Sequence, residues 1–267
     1  MLCVVRNLIF SCAFLLAFGF AVLLPARSTH RSPQEEPQST QQPTAPTAPP
    51  AVPTGPVIIL DPGHGGIDTG ARGAGGVAEK DIVLQVARTV RGQLSIQGYR
   101  VVLTRKDDSN PTYDDRAAVA NAYREAIFVS FHVASTGASG TVRAYYDQFS
   151  AAAAPQSMPR TTMRSLAPLA GSLVVWDQAQ GPYFDQSRRL ADVIQSQLAR
   201  SFPGSPQQST GASVRTLRSV MAPAVAIETS SISVSTPDAL VGAGGLLSSA
   251  IADGISALRQ SSAAGAR

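Results

Sequence analysis

Three short apolar runs constrain the fold of this chain more than any other feature. They are Val57–Leu60, Ile127–Phe131 and Ala224–Ile227. A short apolar run with little polar alternation is typical of a strand buried on both faces, as in a parallel sheet covered by helices. Segments of helical period separate the runs, such as residues 80–98, which end in a glycine. This alternation predicts the α/β class: a single three-layer domain with a mostly parallel twisted sheet and helices on both faces.

The remaining elements are shorter or more polar than these runs. We expect further strands at 99–104, 141–146, 173–176 and 214–217. One helix is expected to begin at Lys80, and three others are expected at 114–124, 185–202 and 242–258. Residues 151–168 are low in complexity and interrupted by prolines, so we expect a mobile surface loop there.

The chain begins with an apolar leader and a polar linker. Residues 8–24 carry no charge and follow Arg6, so residues 1–26 are predicted to be a signal peptide or an uncleaved signal anchor. Residues 27–55, rich in Pro, Gln and Thr, are predicted to be a disordered linker because they cannot bury a core. The catalytic domain would then cover 56–260, and 261–267 would be a disordered tail. These features predict an exported protein of the periplasm or cell envelope.

Composition excludes several classes of partner and ligand. Both cysteines, Cys3 and Cys12, lie in the leader, so the domain has neither a disulfide nor a thiolate ligand. The net charge is +4, and the basic residues are scattered rather than clustered, which argues against a nucleic-acid partner. Membrane contact is expected only through the N-terminal segment, if that segment is not cleaved.

Histidine and glutamate are scarce, and they concentrate at predicted strand ends. His64 follows the first apolar run, His132 follows the second, and Glu228 follows the third. Glu79 lies where a glycine-rich loop meets the first helix, whereas Glu125 precedes its strand and should lie at the opposite edge of the sheet. In open α/β sheets, sites form at the carboxyl ends of the strands. Two imidazoles delivered to this edge suggest a metal.

The scarce residues match the needs of a hydrolytic zinc site. Catalytic zinc takes three protein ligands, and the reacting water needs a separate base. Two histidines and two glutamates supply such a set without surplus. Each residue also has a purely structural interpretation. His64 would be a loop residue without a role, and His132 would be a core histidine. Glu79 would be an acidic residue that stabilises a helix N-terminus, and Glu228 would form a salt bridge.

Six ordered segments give the chain a specific resemblance. They are Ile59–Gly66, Glu79–Asp81, Gly98–Arg105, Arg116 with Asn121, Phe128–His132, and Pro223–Glu228. In these segments, which span most of residues 56–260, the chain resembles the zinc-dependent N-acetylmuramoyl-L-alanine amidases of the amidase-3 family.

The resemblance implies an activity and a role for each scarce residue. It implies one Zn²⁺ per domain held by His64, Glu79 and His132, with Glu228 as the catalytic residue that takes a water proton and passes it to the leaving amine. The implied substrate is peptidoglycan, cut at the amide between N-acetylmuramic acid and L-alanine of the stem peptide. An envelope activator protein is a possible partner. Arg105 and Arg116 are expected to be structural or to lie at the edge of the substrate site.

Two stretches depart from the family pattern, and they keep other functions open. Val133-Ala134 follows His132 where Ala-Asn is usual, and Thr229-Ser230 follows Glu228 where Gly-Phe is usual. One alternative is therefore a non-catalytic peptidoglycan-binding or regulatory domain of the same fold. Another is a zinc peptidase that cuts within the stem peptide. Some family members carry an inserted inhibitory helix with an acidic residue, but residues 151–168 contain no Asp or Glu. We therefore expect no such plug here.

Overall fold

The computed structural model describes residues 55–148 and 178–265. They form a six-stranded sheet in the order β2-β1-β3-β6-β4-β5. The strands are β1 (Val57–Pro62), β2 (Val101–Leu103), β3 (Ala126–Val133), β4 (Val142–Asp147), β5 (Thr210–Ala212) and β6 (Ala224–Thr229). The helices are α1 (Glu79–Ile96), α2 (Tyr113–Asn121), α3 (Phe184–Ser201), α4 (Pro237–Gly242) and α5 (Gly244–Gly265).

The three apolar runs form the centre of this sheet. They are β1, β3 and β6, which pair in parallel register with β3 in the middle. β2 extends the parallel part, whereas β4 runs antiparallel to β6 and carries β5 on its outer side. The parallel strands bring their carboxyl ends to one edge, and the register there sets Asp61 beside Ser130 and His132 beside Glu228.

Two hydrophobic cores lie on opposite faces of the sheet. The larger is formed by one side of the strands with α1, α3, α4 and α5, and includes Leu94, Ile194 and Ile251. The smaller is formed by the other side with α2 and a short 3-10 turn at Arg215–Leu217. The predicted class, a three-layer α/β domain with a mostly parallel sheet and helices on both faces, is confirmed.

The strand predicted at 214–217 is wrong. Residues 215–217 form a 3-10 turn, in which the Leu217 N–H donates to the Val214 carbonyl at 3.0 Å. The turn buries two consecutive side chains: Leu217 lies in the smaller core, and the Thr216 hydroxyl contacts Asp61 at 3.3 Å. An extended segment would send successive side chains to opposite sides.

Other boundaries also differ from expectation. The closing helix predicted at 242–258 is α5, which begins at Gly244 and continues to Gly265, and the short helix α4 precedes it. The leader, most of the linker, the low-complexity segment at 151–168 and the strand predicted at 173–176 lie outside the described residues. Within the described part, residues 237–261 are long and apolar enough to cross a membrane, but half of the apolar window is buried in the domain. They contribute Leu247, Ile251 and Ile255 to the larger core, as expected for a core helix.

Candidate metal centre

Three potential metal ligands converge at the carboxyl edge of the sheet. His64, Glu79 and His132 come from the loop after β1, the first residue of α1 and the end of β3. Each offers one ligand atom, and the three atoms lie within 4.8 Å of one another. Glu79 Oε1 is 3.1 Å from His64 Nε2 and 3.1 Å from His132 Nδ1. The structure thus brings together the three residues predicted as ligands.

His64 is held in an unusual backbone conformation. Its φ is 60°, in the left-handed region that residues other than glycine seldom adopt. Arg116 fixes this turn, because its guanidinium donates to the His64 carbonyl at 2.8 Å and to the Pro62 carbonyl at 2.8 Å. On the imidazole, Nδ1 contacts the Asp68 carboxylate at 2.9 Å, which leaves Nε2 facing Glu79. Strain of this kind is found where surrounding structure enforces a functional geometry.

Glu79 is buried, and both of its oxygens are fixed by backbone donors. Oε2 accepts from the Ala71 N–H at 2.8 Å, and Oε1 accepts from the Val133 N–H at 2.9 Å. Burial would raise the pKa of Glu79, but hydrogen bonds to His132 and His64 outweigh it and hold the pKa well below its ordinary value. The same bond to Glu79 raises the pKa of His64, against the effect of burial.

The close packing of Glu79 and His64 requires a glycine beside them. Gly70 has a φ of +62°, and a Cβ there would lie 2.5 Å from Glu79 Oε2 and 2.7 Å from His64 Cδ2. Any larger residue would therefore displace two of the three candidate ligands.

His132 is oriented by a buried chain of hydrogen bonds. Asp61 accepts from Thr104 at 2.6 Å, from Arg116 at 2.7 Å and from the Ser130 hydroxyl at 2.8 Å. Burial opposes ionisation, but the Arg116 charge and these hydrogen bonds hold the pKa of Asp61 below its ordinary value. Because an ionised carboxylate only accepts, Ser130 must donate to it, and its oxygen is then free to accept from His132 Nε2 at 3.3 Å. With the proton on Nε2, the Nδ1 lone pair would be available to a metal ion held beside Glu79 Oε1.

The donor set fits zinc. Zinc bonds of about 2.0–2.1 Å in tetrahedral geometry place two ligands roughly 3.4 Å apart. The two nitrogens lie at 3.1 Å from the carboxylate oxygen, close to that separation, and within 4.8 Å of each other. Each ring nitrogen that faces away from the cluster has its own partner, Asp68 for His64 and Ser130 for His132. Such outer contacts are the usual support of metal-bound histidines.

Glu228 lies next to this cluster on the neighbouring strand. It is in register with His132 across the β3–β6 pair, so both side chains are on the same face of the sheet. Its Oε2 accepts from the Tyr145 hydroxyl at 2.9 Å, and burial together with this hydrogen bond raises the pKa of Tyr145. Glu228 is half-buried and, by register, neighbours the candidate ligand His132.

The two arginines singled out in the sequence make extensive contacts within the fold, and Arg116 also lines the cavity that contains His64 and His132. Arg116 pairs with Asp61, and Arg105 donates to the carbonyls of Pro62, Gly63 and Lys80. Both side chains are buried. Arg105 fastens the loop that carries His64 to the start of α1, and Arg116 joins that loop to Asp61.

Comparison with known proteins decides the family. The Amidase_3 profile, described as N-acetylmuramoyl-L-alanine amidase, matches residues 58–257. The chain belongs to this amidase family. The amidase AmiC of Neisseria meningitidis is 32% identical over 199 residues, covering 70% of this chain and 48% of AmiC. AmiA of Escherichia coli is 45% identical over 76 residues, which are 28% of this chain and 26% of AmiA. The chain therefore spans at most about half the length of these curated relatives.

Solved amidases have the same fold at lower identity. An N-acetylmuramoyl-L-alanine amidase from Clostridium difficile 630 matches with a TM-score of 0.57 and 23% identity, covering 78% of this chain and 98% of that one. AmiC2 of Nostoc punctiforme matches with a TM-score of 0.53 and 23% identity, covering 77% and 97%. At this identity the likeness supports the fold, and the family rests on the profile match.

Sequence reasoning missed the partners that orient the candidate ligands. Ser130 is two residues before His132, so strand periodicity could have placed both on one face. Asp68 is four residues after His64 in the same loop, and Asp61 had no role assigned. Tyr145 left no readable signal, because the antiparallel pairing of β4 with β6 brings it to Glu228.

Proposed function

We propose that this domain is a zinc-dependent hydrolase that cleaves the amide between N-acetylmuramic acid and L-alanine of peptidoglycan. The observation that carries the proposal is the cluster of His64 Nε2, Glu79 Oε1 and His132 Nδ1, with Glu228 beside it on the same sheet face. Family membership supports the identity of the bond that is cleaved, and the cluster provides residues that could bind a metal ion and activate water.

His64, Glu79 and His132 would hold one Zn²⁺ per domain. When bound, zinc supplies a Lewis acid that polarises an amide carbonyl and lowers the pKa of water. The protein's own contribution is rigidity: Glu79 is fixed by two backbone N–H groups, and each histidine by an outer partner. A site held in this way needs little rearrangement during reaction.

Glu228 would act first as the general base and then as the general acid. As a carboxylate it accepts a proton from the attacking water, and as the resulting acid it donates that proton to the amine of L-alanine as the amide breaks. The Tyr145 hydroxyl occupies Oε2, so Oε1 is the oxygen left to carry the proton. One residue then serves as base and acid in succession.

The proposal also covers the location of the protein, the bounds of its catalytic domain and its partners. The leader and linker support export to the periplasm or cell envelope, with residues 56–260 as the catalytic domain and peptidoglycan as the partner. A family relative with the same fold, CwlD of Clostridioides difficile, has been solved in complex with the GerS lipoprotein, which supports an envelope activator as a further partner.

Digestion of purified peptidoglycan tests the reaction. The protein with added zinc should release peptides that bear a new N-terminal L-alanine, detected by mass spectrometry, and a chelator should stop their release. Peptides newly ended at another residue would favour a stem-peptide peptidase. A folded, zinc-loaded protein that binds peptidoglycan without cleaving it would favour the non-catalytic alternative.

The variant Glu228→Gln tests the assigned base. It should keep its zinc, measured by metal analysis, and lose turnover by a factor of about 10²–10⁴, as expected when general acid–base catalysis is removed. The matched control is Glu125→Gln, which changes an exposed glutamate just before β3, at the opposite edge of the sheet. Full activity in Glu228→Gln would show that the base is another group.

A further inference from the structure

A polar cavity of about 460 Å³ borders Glu228 on the side of β4. Its walls come from the loop at 134–138, the start of β4 and Ser230, so hydroxyl and backbone groups dominate the lining. His64 and His132 line a different cavity of about 280 Å³, together with residues 110–113. Glu228 thus lines one cavity, and the two candidate histidine ligands line the other.

Arg143 supplies the positive charge of the larger cavity. It stands directly opposite Glu228 in the antiparallel β4–β6 register, so both side chains are on the same face. Its guanidinium lies 6.0 Å from the centre of the Tyr145 ring, and Tyr145 in turn donates to Glu228. Arg143 is exposed, and among the described residues no carboxylate forms an ion pair with it.

We propose that this cavity receives the stem peptide and that Arg143 binds a free carboxylate of that peptide. The inference rests on the proposed amidase function. A group that protonates the leaving amine must come within hydrogen-bond distance of the alanine nitrogen. Because Glu228 lines this cavity, that nitrogen would lie beside it, and the rest of the peptide would extend into it.

The chemistry of the peptide matches the cavity. The residue after L-alanine in a stem peptide is a glutamate joined through its side chain, so its α-carboxylate is free unless it is amidated. A guanidinium binds a carboxylate through two parallel hydrogen bonds. Arg143 and Glu228 are the charged residues of the lining, and their opposite signs direct an anionic group toward the arginine and away from the base.

The arginine of the other cavity cannot serve in the same way. Arg116 is buried and paired with Asp61 at 2.7 Å, and its remaining donors bind backbone carbonyls and the Asn110 side-chain oxygen. The proposal therefore makes Arg143 a specificity residue for the second position of the stem peptide.

Two substrates that differ in one group test this inference. Both are muramyl peptides, one with the free α-carboxylate at the second residue and the other with the amide. Wild-type enzyme should prefer the free acid about tenfold in kcat/KM, mainly through KM, as expected for loss of one charge-assisted contact. Arg143→Ala should reduce this ratio to near one, and Arg143→Lys should keep an intermediate ratio because the charge remains.

The control is Arg189→Ala, which removes the same charge from an exposed position on α3 and should leave the ratio unchanged. Equal kcat/KM for the two substrates in the wild type, or a ratio that survives in Arg143→Ala, would overturn the assignment of Arg143. Turnover of neither substrate by the folded, zinc-loaded wild type would instead contradict the amidase function itself.

Discussion

At the scale of single residues, hydrogen-bond direction determines which ring nitrogen of His132 carries the proton. Ionised Asp61 only accepts, so the Ser130 proton points at Asp61, and the His132 proton must point at Ser130. The buried carboxylate thereby selects the imidazole tautomer through an intervening hydroxyl. His64 reaches the equivalent state by direct contact with the more exposed Asp68.

The variant Ser130→Ala tests this chain of contacts. It removes the acceptor of the Nε2 proton, so His132 loses its orientation, and zinc affinity should fall by about 10–100-fold. Competition with a chromogenic chelator measures the affinity without relying on activity. The control is Ser187→Ala, since Ser187 is also buried and hydrogen-bonded but donates to Gln180 and accepts from Ala224 N–H. Unchanged zinc affinity in Ser130→Ala would show that His132 needs no such support.

The residues that depart from the family pattern are accommodated by the strand geometry. The Val133 side chain lies in the larger core, on the face opposite His132, and only its backbone N–H reaches Glu79. Thr229 is likewise buried, and its carbonyl accepts from the Ala134 N–H at 3.0 Å. The substitutions after His132 and Glu228 therefore leave the four proposed site residues in place.

At the scale of elements, the close approach of α3 and α5 is set by a glycine. A Cβ at Gly254 would lie 2.8 Å from Ile194 Cγ1 and 3.0 Å from Leu190 Cδ1. These side chains are fully buried, so they have little room to move. The helices pack tightly because α5 presents no side chain at this point.

The variant Gly254→Ala should destabilise the domain despite the higher helix propensity of alanine. Overpacking of this kind costs about 1–3 kcal/mol in free energy of unfolding. Gly245→Ala, in the same helix with nothing within 4 Å of the added Cβ, should be neutral or stabilising by up to about 1 kcal/mol. Urea denaturation of both variants checks the contrast, and equal effects would mean that propensity rather than packing governs α5.

The elements that could be predicted from the sequence are those with a strong local pattern. The apolar runs that became β1, β3 and β6 and the stripes of α1 and α3 needed only periodicity and glycine or polar boundaries. The direction of β4 could not be read, because it depends on pairing between segments far apart in sequence. The turn at 215–217 was also missed, since four residues cannot distinguish period two from period three. The proposed ligands were readable because histidine and glutamate are scarce, whereas the Tyr145 contact depends on the unreadable pairing.

At the scale of the whole molecule, two buried aspartates act on stability in opposite directions as pH changes. The pKa of Asp61 is lowered on folding, so its contribution is present above the unfolded pKa near 3.8 and is lost as pH falls through the folded pKa. The pKa of Asp147 is raised, chiefly by burial, so the folded state prefers the protonated form. Its contribution is most favourable below 3.8 and declines as pH rises through the folded pKa.

Asp147 is consequently a site where neutral pH weakens the fold. Its Oδ1 accepts from the Val214 N–H at 2.7 Å, whereas no group of the described residues forms a hydrogen bond with the buried Oδ2. The variant Asp147→Asn keeps the first contact and removes the buried charge, so it should raise the melting temperature at pH 7. As pH is lowered toward 4, wild-type Asp147 becomes protonated and the difference should shrink. Thermal denaturation of the two proteins across this range measures the effect, and a difference that stays constant with pH would mean that Asp147 titrates alike in the folded and unfolded states.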